Sequence, residues 1–350
     1  MRLLIIKLTS MGDVLFTLSC IADIKARLPD SQIDWVVDEE FAGLVRFHGG
    51  IDRVIALPLR RLSRDRKISD RVRDIAAVIK GFFKIRGQRY DVLIDMQGVI
   101  KSAVVSWFAK SGQRWTYTAP HLESPGLARW YTNFWEPARD LPAVFQYRVF
   151  AGVALGYTPD LNQTRFAFKK EPALVNAAIG TQNAGPGSTA LLVPFSSKEA
   201  KQLDNQGMSV IVTTLRTRGY KIALVAGSEA ERQRGLEIAS LSNCEVEMIY
   251  RPIEHFDAFR NRLADFGICI GVDTGITHVS AAFGVPTIGI FSISAMQTYG
   301  PHHWAPHARS LHADDPQLIA AITEMVTQLP TAPSLADSSN TGWHTDRPLP

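Results

Sequence analysis

The chain is punctuated by short, almost wholly apolar runs, each leading through a turn into further structure, and this rhythm limits the fold more than any other feature. In the first half the runs are Leu3–Lys7, Ile33–Val37, Arg53–Leu57 and Asp91–Asp95. In the second they are Ala190–Pro194, Lys221–Ala226, Glu245–Ile249, Gly267–Gly271 and Thr287–Phe291. Runs without polar alternation belong to strands covered on both faces, the habit of parallel sheets joined by crossover helices. Helical segments are read at Gly207–Arg218 and His278–Phe283. Ser69 is placed to cap another, whose apolar positions Val72, Ile75, Ala76, Ile79 and Phe83 recur at helical spacing and are expected to cover the sheet.

Two such series in 350 residues, 46% of them hydrophobic, supply two cores rather than one. The expected class is α/β with two open parallel sheets. Residues 1–172 form the first domain and 173–189 a linker through the breaker-rich Asn183-Ala184-Gly185-Pro186-Gly187-Ser188. Residues 190–329 form the second domain, and the polar, Pro-rich 330–350 a flexible tail. Gly185-Pro186-Gly187-Ser188-Thr189 lacks the Lys that a phosphate loop places before its hydroxyl residue.

Lys7 interrupts the first apolar run too early for a signal-peptide core, and Ile268–Met296 carries Asp273, His278, Pro286 and several glycines, so no membrane span is expected. Cys20, Cys244 and Cys269 are far apart in apolar surroundings, as suits small core residues in a reducing compartment; the cytoplasm is expected.

Net charge is +4, yet Arg53–Arg89 holds twelve Arg and Lys against Asp65, Asp70 and Asp74, a local +9 that leaves −5 for the remainder. Such a field favours an anionic partner: phosphate, nucleic acid or an acidic lipid surface. A solvated helix face accounts for the charges equally well. Nucleic acid is disfavoured, because Phe82 and Phe83 fall on or beside an apolar face and no stacking platform is present.

Open α/β sheets bind ligands beyond the carboxyl ends of their strands, where helix N-termini present free N–H groups. Four strand-to-helix turns qualify. Thr9-Ser10-Met11-Gly12-Asp13 offers a glycine for close approach and a carboxylate, Asp13, that is either a helix cap or a proton acceptor. Gly271-Val272-Asp273-Thr274-Gly275-Ile276-Thr277-His278 is the densest, with backbone donors at Thr274 and Gly275 and His278 either structural or turned to an anion. Pro194–Lys201 brings Ser196, Ser197, Lys198 and Lys201, groups suited to a diphosphate. Gly227–Glu231 adds Glu229 and Glu231, which serve either as ribose ligands or as ordinary helix-start acids. No Gly-x-Gly-x-x-Gly follows a strand, which argues against a dinucleotide oxidoreductase. His302, His303 and His307 lack acidic or Cys partners; they read as surface loop and no metal is expected.

Four stretches carry a resemblance: Ser10-Met11-Gly12-Asp13-Val14-Leu15, Asp34-Trp35-Val36-Val37-Asp38-Glu39, Asp95-Met96-Gln97-Gly98-Val99-Ile100-Lys101-Ser102 and Asp273-Thr274-Gly275-Ile276-Thr277-His278. With these, residues 1 to about 325 resemble the ADP-heptose glycosyltransferases of lipopolysaccharide inner-core assembly, the second and third stretches favouring the type I branch. The resemblance implies a GT-B architecture, two Rossmann-like domains facing across a cleft. It implies inverting transfer of heptose from ADP-heptose to Kdo of a lipid A precursor, at the cytoplasmic face of the inner membrane. Asp13 would be the general base. Ser196, Ser197, Lys201, Asp273, Thr274, Gly275 and His278 would hold the diphosphate and sugar of the donor, and Glu231 its ribose, with Glu229 a competitor. Arg60, Arg61 and Arg64, with Gln97 and Lys101, would meet the anionic Kdo-bearing acceptor. ADP-heptose would be a co-substrate, with no resident cofactor or metal, and an anionic membrane surface a peripheral partner.

Three departures from the family pattern stand out. Leu203 replaces the tryptophan of Lys-x-Trp-Pro, Phe16 replaces a histidine, and Pro142-Ala143-Val144-Phe145-Gln146 replaces His-Ala-Val-Glu-Arg. Leu203 and the 142–146 stretch motivate one alternative, a nucleotide-binding paralogue without catalysis; transfer to a later heptose acceptor is the other.

Overall fold

The computed structural model describes residues 1–62, 67–138, 140–169, 188–196 and 203–329. The first half runs β1 (Arg2–Ile6), α1 (Met11–Arg27), β2 (Gln32–Asp38), α2 (Ala42–Arg46), β3 (Arg53–Leu57), α3 (Leu59–Leu62), α4 (Ile68–Arg86), β4 (Arg89–Asp95), α5 (Ile100–Phe108), β5 (Lys110–Tyr117), β6 (Asn133–Trp135) and α6 (Ala143–Leu155). The second runs β7 (Thr189–Val193), α7 (Asn205–Thr217), β8 (Lys221–Ala226), α8 (Glu229–Ser242), β9 (Glu247–Tyr250), α9 (Phe256–Asn261), β10 (Phe266–Val272), α10 (Gly275–Ala282), β11 (Thr287–Phe291), α11 (Ile293–Tyr299), β12 (Ala308–His312) and α12 (Leu318–Thr327). Apart from Ser188 and Thr189, the expected linker lies outside the described residues, as does the tail after Leu329.

Each half is a six-stranded sheet, ordered β3-β2-β1-β4-β5-β6 in the first and β12-β11-β10-β7-β8-β9 in the second. All pairings are parallel. Counted from its own first strand, each sheet has the order 3-2-1-4-5-6, so the halves repeat one topology. Leu3 through Ile6 and Leu191 and Leu192 are wholly buried, as central strands covered on both faces require. Each such side chain contributes roughly 1.5–3 kcal/mol by leaving water.

An apolar seam joins the halves. Met11 and Phe16 of α1 share a core with Ile276 and Val279 of α10. Phe168 stacks on Phe283 with ring centroids 4.1 Å apart, and Phe166 meets Trp304 edge-on at 5.3 Å.

Three expectations need correction. The helix after β3 forms, but Lys67 rather than Ser69 precedes its first turn, and its apolar stripe does not cover the sheet. Asp74, Gly81 and Ile85 face inward, whereas Val72, Ile75, Ala76, Ile79 and Phe83 are exposed. The reason lies at Gly81: a Cβ there would stand 2.2 Å from Leu57 Cδ2, so the bare backbone seats α4 on β3 and turns the stripe outward. Second, His307 is not a surface residue. It is buried, with Nε2 2.8 Å from the Ala281 carbonyl at the end of α10. Third, Cys20 and Cys269 are buried and free, whereas Cys244 is only half-buried at the margin of the second core. Burial pushes the Cys269 thiol up to about 12. Strands β5, β6 and β12 were not expected from the sequence: β5 is largely polar and only partly buried, while β6 and β12 close sheet edges.

Candidate functional site

The strand order reverses between β1 and β4 in one sheet and between β7 and β10 in the other, and the crevices at such reversals are where open α/β sheets take ligands. Their rims face each other. Gly12 and Gly275 open this contact: a Cβ on Gly275 would stand 2.7 Å from Met11 Cβ, and one on Gly12 would touch His278 Cδ2 at 3.5 Å. The N-termini of α1 and α10 thus converge, and their unpaired N–H groups favour an anion held between them.

Asp13 lies in the first turn of α1. Its Oδ2 accepts from the Ser10 backbone N–H at 3.3 Å and the Ser10 hydroxyl at 2.9 Å, so it does part of a capping residue's work. Its Oδ1 accepts from the Tyr147 hydroxyl at 3.0 Å, and that hydroxyl in turn accepts from Lys7 Nζ at 2.9 Å. Lys7 also donates to the Met96 carbonyl at 2.9 Å. Burial lowers the Lys7 pKa from its ordinary 10.5, against the pull of Asp13 and Asp95. Burial and the adjacent Asp13 carboxylate raise the Tyr147 phenol far above its usual range, so it remains a donor. The Asp13 carboxylate is oriented on both oxygens yet lines a cavity of about 260 Å³ with Ser10, Gly12, Phe16, Asp273, Thr274, Gly275, His278 and Tyr299. Each carboxylate oxygen retains acceptor capacity.

On the opposite rim, Asp273 Oδ1 lies 3.3 Å from His278 Nε2. Phe16 packs edge-on against the His278 ring at 4.9 Å. Thr277 donates to the Val272 carbonyl at 2.7 Å, which fixes the turn from β10 into α10. Next to it, a cavity of about 420 Å³ is lined by Ser10, Gly12, Ser196, Gly227, Glu231, Asp273, Thr274 and Gly275 among others. Glu231 Oε2 accepts the Gly227 N–H at 2.7 Å and borders this space. Glu229 instead points to Arg232 and Gln233 on the surface, whose hydrogen bonds hold its carboxyl down to about 2.

A third cavity, about 330 Å³, opens on the other side of Ser10, between Leu8, Thr9, Asp38, Leu59, Arg60, Gln97, Val99 and Lys101. Gln97 Oε1 accepts the N–H groups of Leu8 and Thr9, both at 3.0 Å, and Asp95 Oδ1 holds the Gln97 and Gly98 N–H groups at 2.8 and 3.1 Å. The turns after β1 and β4 are thereby locked together. Asp38 Oδ2 accepts the Arg60 N–H at 2.8 Å, and the Arg60 guanidinium pairs with Glu40 at 3.0 Å. Arg61 is drawn to Asp74 and Glu39 at 2.7 Å each, and borders an adjoining cavity of about 740 Å³ with Arg46, Arg251 and Glu254.

Asp13, Asp273, Thr274, Gly275 and His278 therefore meet at one cavity, Ser196 and Glu231 border the adjoining one, and Arg60, Gln97 and Lys101 share the third. Ser197, Lys201 and Arg64 lie outside the described residues. Lys7 and Tyr147 escaped the sequence reading. A lysine closing an otherwise apolar strand was a signal available for the first; the second depends on a contact 134 residues distant. Among the described residues, no group of three His, Cys, Asp or Glu is placed to hold a metal ion, and no helix is long and apolar enough to cross a membrane.

The arrangement joins an oriented carboxylate to a site for an anion, the parts needed to take a proton from a nucleophile while a charged leaving group departs. Known proteins of similar sequence and shape are named heptosyltransferases. Lipopolysaccharide heptosyltransferase 1 of Escherichia coli K12 is 28% identical over 292 residues, covering 83% of this chain and 88% of its own. The protein of that name from Pseudomonas aeruginosa is 27% identical over 303 residues, covering 83% and 78%. The solved structure of E. coli heptosyltransferase WaaC with ADP superposes with a TM-score of 0.78 at 25% identity, over 94% of this chain and 99% of that one. The two facing parallel sheets are the GT-B architecture of these enzymes. The model of glycosyltransferase family 9 (heptosyltransferase) matches residues 78–318, more than half of the chain, and the chain belongs to that family.

Proposed function

We propose that the protein transfers heptose from ADP-heptose to Kdo of a lipid A precursor, with inversion at the anomeric carbon. The observation that supports this reading most is that Asp13 and the turn Asp273–His278 line the same cavity from opposite halves of the chain. The Asp13 carboxylate takes the proton of the attacking Kdo hydroxyl; the hydroxyl oxygen forms the new bond to the anomeric carbon as the bond to the ADP oxygen breaks. One displacement needs no enzyme nucleophile.

The charge that grows on ADP is met by the N-terminus of α10 at Thr274 and Gly275, with His278 beside it, and by Ser196, with Ser197 and Lys201 of the sequence that follows assigned to the same task. Glu231 takes the ribose hydroxyls, a role favoured by its position on the cavity and by the outward course of Glu229. The acceptor enters from the side of Arg60, Gln97 and Lys101; Arg61, at the neighbouring cavity, and Arg64 are assigned to its phosphate and carboxylate groups. ADP-heptose acts as a co-substrate, and the lipid-borne acceptor sets the reaction at the cytoplasmic face of the inner membrane with the protein bound peripherally.

Mass spectrometry of the lipid formed from ADP-heptose and a Kdo-terminated acceptor tests the reading. A gain of one heptose with release of ADP is expected. Transfer only to heptose-terminated lipid would assign a later step, and tight ADP binding without product would assign a non-catalytic role.

A further inference from the structure

Helix α4 exposes an apolar stripe that the fold leaves uncovered. Ile68, Val72, Ile75, Ile79 and Phe83 are 81%, 61%, 48%, 50% and 72% exposed. At 3.6 residues per turn these five fall within an arc of roughly 80°. The helix is anchored by a different face, through Asp74, Gly81 and Ile85, so the stripe is a continuous ridge rather than a frayed edge. Exposed apolar surface of this extent marks a contact with something apolar.

Charge identifies the partner. Arg71, Arg73, Lys80, Lys84 and Arg86 are all exposed on the same helix, as is Lys67 just before it, against the acids Asp70, half-buried, and Asp74, buried and paired with Arg61. A second copy of the chain docked by the same face would oppose these cations to their own counterparts, a repulsive arrangement. An anionic bilayer satisfies both features, taking the ridge between its acyl chains and the cations at its headgroups.

The neighbouring helix extends the surface. Phe108 of α5 packs on Phe82 with centroids 4.5 Å apart and carries Trp107 against it at 5.1 Å. Trp107 is 59% exposed, and Ile100 at the other end of α5 is 51% exposed. Tryptophan suits the level of the headgroups. Helix α5 borders the cavity of Arg60, Gln97 and Lys101 through Lys101, and α4 packs against α3, which bears Arg60.

We infer that α4 lies in the plane of an anionic lipid surface, with Ile68, Val72, Ile75, Ile79 and Phe83 inserted and Trp107 at the headgroup level, and that this docking brings the acceptor cavity to the membrane. The inference deepens the membrane aspect of the proposed function, but the site on α4 stands apart from the chemistry.

Flotation of the full chain with acceptor-free vesicles tests it. The protein is expected to float with vesicles of phosphatidylethanolamine and phosphatidylglycerol and to stay behind with phosphatidylcholine alone. Ile79→Asp combined with Phe83→Asp should lower partitioning by on the order of 10-fold or more, as loss of two inserted side chains requires. Phe83→Trp should hold or raise it, which separates loss of docking from loss of fold. Equal flotation of the double variant would overturn the inference. So would absence of vesicle binding together with a concentration-dependent dimer that the double variant abolishes. Turnover on a deacylated, water-soluble acceptor should be the same in the double variant and the wild type, and should drop only on vesicle-borne acceptor. If the reaction itself is misassigned, the wild type turns over neither acceptor while its flotation still differs from that of the variant.

Discussion

The Tyr147 hydroxyl donates to Asp13 Oδ1 at 3.0 Å and accepts from Lys7 Nζ at 2.9 Å, so the orientation of the carboxylate at the cleft depends on a buried lysine behind it. Tyr147 stands on α6 and Lys7 just past β1, and neither lines the cavity that Asp13 borders. They act on Asp13 as positioning residues.

Tyr147→Phe removes one hydrogen bond to a charged acceptor, worth about 1.5–3 kcal/mol. The expected outcome is a loss in kcat of roughly 10- to 100-fold with KM for ADP-heptose unchanged. Steady-state kinetics with the donor varied provide the check; a rise in KM at normal kcat would place Tyr147 in donor binding instead.

Lys7 gives stability a sign that can be read in urea. Its folded pKa lies below 10.5, so between the two values the unfolded chain binds one proton more than the folded chain, and stability rises with pH through that window. Below the folded value the cost of burying the charge is present in full, and above 10.5 it is gone. Lys7→Met should abolish this rise. Urea midpoints measured from neutral pH upward should climb more steeply for the wild type than for the variant; parallel curves would mean that Lys7 remains charged in the fold.

Glu231 and Glu229 are two residues apart on α8, but only Glu231 borders the cleft. Glu231→Gln keeps an acceptor for the Gly227 N–H and loses the charge. Titration calorimetry with ADP should show about 10-fold weaker binding, consistent with loss of a charge-assisted hydrogen bond. Glu229→Gln should bind as the wild type does, and the reverse ranking would exchange their roles.

Gly275→Ala places a methyl group 2.7 Å from Met11 Cβ, at the contact between α1 and α10. Overpacking of this kind costs about 1–3 kcal/mol. The thermal midpoint should fall and KM for ADP-heptose should rise. Met11→Ala should restore both only in part, because the nearest clash is with the Cβ that alanine retains. A variant with unchanged midpoint and KM would show that the helices separate freely.

Much of this was legible in the sequence where burial is two-sided. The runs at Lys221–Ala226 and Thr287–Phe291 have the same bounds as β8 and β11, because strands covered on both faces leave an uninterrupted apolar signature; Arg53–Leu57 has the bounds of β3, an edge strand that is only partly buried. Strand β5, Lys110–Tyr117, has no such signature, since neighbouring strands rather than apolar cover secure it. The turns that carry Asp13 and Asp273–His278 were visible because strand-turn-helix junctions concentrate donors and small residues locally. The link from Lys7 through Tyr147 to Asp13 was not, since it spans 140 and 134 residues. The stripe on α4 shows a different limit: helical spacing reveals an apolar face, but whether protein, water or lipid meets it depends on how Gly81 seats the helix on Leu57.

Single-turnover kinetics of Asp13→Ala, with ADP-heptose and a Kdo-terminated lipid acceptor, test the central claim most directly. The account predicts ADP binding close to that of the wild type and transfer slowed by at least about 10²-fold, the contribution of a positioned base. Transfer at a near-normal rate would contradict it, because the carboxylate would then take no proton in the reaction.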